Sequence, residues 1–198
     1  MSNNNNFIKN IHSSESNEWY TPVIFTEAAR MVMGEIDLDP ASSVEANEAV
    51  KAGKIFTIED DGFTKEWFGR VWLNSPYGFF EGQRGVSCAG MWAKSLRDRF
   101  LSGEVEEALM LVNANVGDKW WMALMREFPV CLVNKRIAFR RPSASKKKSQ
   151  PSKGNSVFYF GNNFERFRQV FEDEYNLGLV IDYKNSKKIN KFNNLKRL

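Results

Sequence analysis

Apolar and polar positions along this chain alternate between a helical period and short continuous apolar runs. From Thr21 to Gly34, TPVIFTEAARMVMG sets Phe25, Ala28, Ala29, Val32 and Met33 on one stripe at helical spacing. Thr21 is placed to cap that helix, Pro22 suits its first position, and Gly34 ends it. EIDLDPASS then predicts a short strand and a turn, SVEANEAVKA a helix, and KIFTI a second strand ending in the acidic turn Glu59-Asp60-Asp61-Gly62. GRVWL predicts a third strand, ending at Asn74, and VSCAGMWAKSLRDRFLSG a helix stopped by Gly103. EEALMLVNAN reads as a strand, GDKWWMALMREF as a helix opened by Asp118, and VCLVNKRIAFR as one long strand or two. VFYFG, the helix NNFERFRQVFEDEY and the strand LGLVID complete the order.

Strands alternating with helices imply an α/β fold: a mainly parallel sheet of seven strands with helices on both faces. Ligands of such open sheets bind at the carboxyl ends of the strands. Asp39, Asp60, Asp61 and Asn74 all fall at predicted strand ends. A chain of 198 residues suffices for one domain with a full core. We expect that domain over residues 18–182, after a disordered leader at 1–17 and before a basic disordered tail at 183–198. A flexible basic loop is expected at 142–156.

Charge adds a partner. The net charge is only +4, yet residues 134–153 hold eight basic residues and no acid: Lys135, Arg136, Arg140, Arg141, Lys146, Lys147, Lys148 and Lys153. Six more basic residues, again without an acid, lie from Lys184 to the end. A modest total concealing two basic segments is the footprint of a polyanion-binding protein. No apolar run reaches the roughly 18 residues of a membrane span, and the Asn/Ser-rich start lacks a signal peptide's apolar core. A cytoplasmic protein is expected. Cys88 and Cys131 read as reduced thiols, and the single histidine, His12, lies in the leader, which argues against a metal site or a Ser-His-Asp triad.

The most informative stretch is RVWLNSPYGFF, Arg70–Phe80. An apolar run ends abruptly in an amide, a proline and an aromatic ring. Turn chemistry explains each residue singly. Together they suit a pocket for a flat molecule bearing an amino group. The lone pair of an exocyclic amine is delocalised into its ring. Two acceptors holding both amine hydrogens favour a pyramidal nitrogen whose lone pair points at an electrophile. The Asn74 side-chain oxygen is one acceptor, and the Ser75 carbonyl, aimed by the stiff ring of Pro76, is the other. Tyr77 offers a stacking face.

The stretch NSPY resembles the Asn-Pro-Pro-Tyr motif of amino-methyltransferases that use S-adenosylmethionine. The surrounding order is similar to that of small phage-type DNA N6-adenine methyltransferases: EWYTP, LDPAS, EDDGF, VWLNSPYG, NKRIAF and NSVFYFG, from about Glu18 to about Ile181. Ser75 departs from the usual proline, and DPASS stands where many cofactor-binding folds carry a glycine-rich turn. The resemblance implies a Rossmann-like methyltransferase fold, S-adenosylmethionine as cofactor and double-stranded DNA as partner. Asn74, Ser75, Pro76 and Tyr77 would form the catalytic pocket. Tyr20, Thr21 and Pro22 would border the methionine part of the cofactor, beside the turn Pro40-Ala41-Ser42. Asp39, or equally Asp37, would take its ammonium or ribose end. Asp61, or else Asp60, would accept from its adenine amine, with Phe63 against the ring. Lys146, Lys147 and Lys148 would meet phosphates, and Arg136 and Arg140 base edges. The target base would have to leave the duplex. Trp120 and Trp121 read as core and helix face.

Two other readings fit the same residues, the first sharing the chemistry and the second of another class. Cytosine N4, an RNA base or a protein glutamine could enter such a pocket. A non-catalytic DNA-binding protein on a decayed methyltransferase fold is the other, and Ser75 is the feature that keeps it open.

Overall fold

The computed structural model describes residues 19–78, 87–140 and 153–186. The expected leader and the three lysines Lys146, Lys147 and Lys148 lie outside the described residues. Seven strands form: β1 (Leu38–Asp39), β2 (Lys54–Ile55), β3 (Arg70–Asn74), β4 (Glu107–Asn113), β5 (Val130–Val133), β6 (Asn155–Phe160) and β7 (Gly178–Ile181). The helices are α1 (Val23–Met33), α2 (Val44–Val50), α3 (Cys88–Ser102), α4 (Lys119–Glu127) and α5 (Phe164–Arg168). The last runs directly into a π-helical segment, Gln169–Glu174.

All seven strands join one sheet in the order β2-β1-β3-β4-β6-β5-β7. The β2-β1-β3-β4 half is parallel, whereas β6 runs antiparallel to both β4 and β5, and β7 antiparallel to β5. The sheet is therefore mixed, not mainly parallel as its alternation of elements predicts. The reason lies between β5 and β6. A parallel neighbour needs a crossover connection, usually a helix. The described residues between these strands form none, and β6 returns in the opposite direction.

Side chains of the central strands divide by parity. Trp72, Leu109, Leu111, Val157 and Tyr159 face α1 and the π-helical segment. Val71, Leu73, Ala108, Met110, Val112, Phe158 and Phe160 face α3 and α4. Both faces are thus covered, and strands buried on both sides read as unbroken apolar runs.

The whole predicted stripe of α1 is buried. Its start differs from expectation: Pro22 is the N-cap residue and no side chain caps the helix. Thr21 is buried at 5% exposure, in the cleft described below. Gly34, at φ 88°, closes the helix by donating to the Arg30 carbonyl at 2.7 Å. Ser43 caps α2, accepting from the Ala46 N–H at 3.1 Å. VCLVNKRIAFR pairs as β5 and then once more, through an isolated antiparallel bridge between Arg140 and Tyr20. The expected loop at 142–156 extends too far, because Asn155 and Ser156 are buried members of β6. The expected tail begins too early, since residues 183–186 turn helically after Asp182. Asp182 accepts there from the Asn185 N–H at 3.1 Å. Trp121 is core, with its indole N–H on the Ser156 hydroxyl at 3.0 Å, and both cysteines are buried free thiols.

Candidate active site

The chain runs from β1 out to β2, then crosses to β3 on the other side of β1. Strand ends on either side of such a reversal diverge and leave a crevice at their carboxyl ends. The crevice here is a cleft open to solvent. Its walls are Trp19, Tyr20 and Thr21, the turn Asp39–Ser43 after β1, and Asp61 and Gly62 after β2. Trp72 of β3 and the segment Asn74–Tyr77 at its end add to it, with Trp92 of α3. Gly62 lets the two turns touch: a Cβ there would lie 1.9 Å from the Pro40 carbonyl oxygen. Asp61 beside it takes φ 54°, a left-handed conformation that aspartate tolerates better than most residues.

Asp39 is 3% exposed, and its Oδ1 accepts from the Ala41 N–H at 3.1 Å. Burial pushes its carboxyl up to about 7, against the pull of that N–H and of the Ser42 hydroxyl. Asp37 does not line the cleft. Its carboxylate is spent on Arg70, whose guanidinium holds it below the usual range. Asp60 is likewise outside, folded back onto the Thr57 N–H at 2.8 Å and hydroxyl at 3.0 Å. Pro22 and Phe63 also stand off the cleft. Phe63 packs edge-on against Trp92, with ring centroids 5.3 Å apart, so Trp92 is the ring facing the cavity. Of the expected set, the cleft gathers Tyr20, Thr21, Asp39, Pro40, Ala41, Ser42, Asp61, Asn74, Ser75, Pro76 and Tyr77. Arg136 and Arg140 are exposed.

Asn74 sits at the last position of β3. Its Nδ2 donates to the Trp19 carbonyl at 3.0 Å, and its Oδ1 accepts from the Tyr77 hydroxyl at 3.3 Å. A carbonyl oxygen has two lone pairs, so one acceptor site of the amide remains after Tyr77. Burial raises the Tyr77 phenol, which stays a neutral donor.

Sequence reasoning passed over Trp19, Trp72 and Trp92. Trp72 was open to discovery, because it precedes Asn74 by two positions and must share its face of the strand. The Trp72 and Trp92 indole nitrogens and the Ser42 and Ser75 hydroxyls are buried without a hydrogen-bond partner among the described residues, and all four residues line the cleft. Unpaired buried donors cost about 1–3 kcal/mol each and call for a ligand or water. Donors, two acids and aromatic walls in one cleft fit a molecule with hydroxyls, a cation and a heteroaromatic ring. No group of three or more metal-ligating side chains occurs among the described residues. No helix among them is long and apolar enough to cross a membrane.

A doubly covered α/β sheet with a cleft at a topological reversal is the arrangement in which open α/β folds place their ligand crevices. Over residues 9–177 the chain matches the family model described as DNA N-6-adenine-methyltransferase (Dam), and it belongs to that family. Neither the curated proteins nor the solved structures hold a match to it.

Proposed function

We propose that this protein methylates the N6 amine of adenine in double-stranded DNA, using S-adenosylmethionine, with the target base turned out of the duplex into the cleft at Asn74-Ser75-Pro76-Tyr77. The observation that carries the reading is the Asn74 oxygen: it lies beside Tyr77 in a cleft that also holds the buried Asp39. S-adenosylmethionine, when bound, would supply an electrophilic methyl group on a sulfonium, its transfer breaking the methyl–sulfur bond and leaving a neutral thioether. Asn74 and the Ser75 carbonyl hold the two amine hydrogens, so that the nitrogen lone pair is directed at that methyl. The Asn74 dipole then stabilises the positive charge that develops on nitrogen before a proton leaves to water. Tyr77 stacks on the base. No residue has to act as a strong base, because positioning and electrostatics suffice.

Asp39 accepts from the ammonium or ribose end of the cofactor, beside Pro40, Ala41 and Ser42, and Asp61 accepts from its adenine amine. Tyr20 and Thr21 border its methionine part. Arg136, Arg140 and the lysines at 146–148 meet DNA. Described residues close to that run in sequence, Arg140 and Gly154, are tied to the fold by main-chain hydrogen bonds. Arg140 is bridged to Tyr20, while the Gly154 carbonyl accepts from the Ala114 N–H at 2.9 Å, just beyond β4.

Nucleoside mass spectrometry of DNA from cells expressing the protein tests the reading. N6-methyladenine is expected with the wild type and not with Asn74→Ala. N4-methylcytosine would move the substrate, and unmodified DNA from cells containing folded protein would overturn the activity.

A further inference from the structure

We infer that the main-chain carbonyl of Trp19 is a positioning group for catalysis: it selects the orientation of the Asn74 amide that turns its oxygen toward the target amine. The inference rests on the reading of Asn74 given above. A carboxamide has two ends of almost equal shape and opposite hydrogen-bonding sense. Only one orientation serves an amine. With the NH₂ end toward the cleft, donors would face donors and the base would be repelled.

The Tyr77 hydroxyl cannot make the choice, since a hydroxyl both donates and accepts. The Trp19 carbonyl can, because it only accepts. At 3.0 Å from the terminal nitrogen of Asn74, it requires the NH₂ end, and the oxygen is left on the Tyr77 side. The two residues are 55 positions apart, so nothing local to β3 supplies this contact.

The carbonyl is itself held in place. The next residue, Tyr20, donates its N–H to the Arg140 carbonyl at 2.8 Å and accepts from the Arg140 N–H at 3.0 Å. The Trp19 ring meets Phe139 edge-on, with centroids 6.4 Å apart. The segment carrying the exposed side chains of Arg136 and Arg140 therefore braces the clasp that aims Asn74.

Asn74→Asp tests this through the sign of a pH dependence. The substitution replaces the donor end with a second oxygen, which as a carboxylate would confront the Trp19 carbonyl. Only the protonated acid can donate there and keep an acceptor toward the cleft. The kcat of Asn74→Asp relative to wild type should therefore rise as pH falls, by up to about tenfold per unit while the acid is mostly ionised. A ratio that is flat, or that falls with acidification because the negative charge itself helps the developing cation, overturns the role of Trp19. So does a variant inactive throughout the range. Trp19→Ala should lower kcat about tenfold, with Trp19→Phe, which keeps an edge for Phe139, restoring it to within about twofold. A change in cofactor affinity alone, with kcat unchanged in Trp19→Ala, also overturns it. Adenine methylation by Asn74→Ala at the wild-type rate would instead overturn the reading of the site. A wrong slope in Asn74→Asp leaves that reading standing.

Discussion

Asp37 and Asp39 stand two positions apart and hold carboxyls of opposite character. Asp37 takes the Arg70 guanidinium with both oxygens, Oδ2 at 2.8 Å from Nε and Oδ1 at 3.1 Å from Nη2, and accepts from the Arg70 N–H at 2.8 Å. Asp39 is buried at the cleft with the Ala41 N–H on its Oδ1. The first is held ionised, and the second is pushed up to about 7. Gly69 marks the tightness of the first site, since a Cβ there would lie 2.5 Å from Asp37 Oδ2.

The cofactor's affinity should follow the ionisation of Asp39. A carboxylate accepting from a cation or hydroxyls must first lose its proton. Affinity measured by calorimetry should rise with pH up to about 7 and level off above it. Asp39→Asn should flatten the profile and weaken binding above it by about 1.5–3 kcal/mol. The unliganded fold should show the reverse trend. A raised carboxyl binds its proton more tightly when folded, so its contribution to stability declines as pH rises from the ordinary carboxylate range through about 7. Asp39→Asn should remove that decline.

Asp37 governs acid stability. Its depressed carboxyl contributes stability that is fully present above the ordinary aspartate range and is lost as pH falls through the lowered value. Denaturant titration of Asp37→Ala at neutral pH should show a loss of about 1–2 kcal/mol, a modest figure because both side chains are partly exposed. The variant should lack the wild type's further loss in acid. Its cofactor affinity should be unchanged.

Tyr77 separates ring from hydroxyl. Tyr77→Phe removes only the 3.3 Å bond to Asn74 and should reduce kcat a few-fold. Tyr77→Ala removes the stacking face and should cost about 1–3 kcal/mol in kcat/KM. Equal activity of the two variants in a single-turnover assay would remove the base from this ring.

The three lysines at 146–148 should supply affinity without sequence choice. Each phosphate they neutralise steepens the log–log salt dependence by roughly 0.9, so replacing all three by alanine should flatten the slope by up to about 3. Target and non-target duplexes should weaken alike, with the modified base unchanged. Arg136→Ala or Arg140→Ala should change which sites are methylated, because a guanidinium can grip a guanine edge with two hydrogen bonds. Sequencing of methylated DNA checks this.

The helix stripe of α1, the glycine stops at Gly34 and Gly103 and the existence of each strand were legible, because each is written in local spacing, whereas the end of β5 and the start of β6 were not. The Asn74–Tyr77 segment was legible as chemistry for the same reason. Strand order was not, since the antiparallel insertion of β6 between β4 and β5 is a long-range pairing that no local spacing records. Asp37 and Asp39 could not be told apart because the arbiter, Arg70, lies 33 positions away from Asp37. Thr21 read as a cap from its neighbours, yet burial in the cleft decided its place. Trp19 entered only as part of a motif, and its carbonyl contact to Asn74 is purely tertiary.

The placement of β6 also sets an order of events during synthesis. β4 and β5 have no common partner until residues 155–160 arrive between them. As the chain leaves the ribosome, the edge of β4 stays open while β5 and the long connection behind it emerge. An open apolar edge is a template for another chain. A nascent chain stopped before Asn155 should therefore be a chaperone client, and a truncated gene product should aggregate rather than fold to a smaller enzyme. The half of the sheet that carries Asp39 and Asn74 is made first, but it is secured by the last strands to appear.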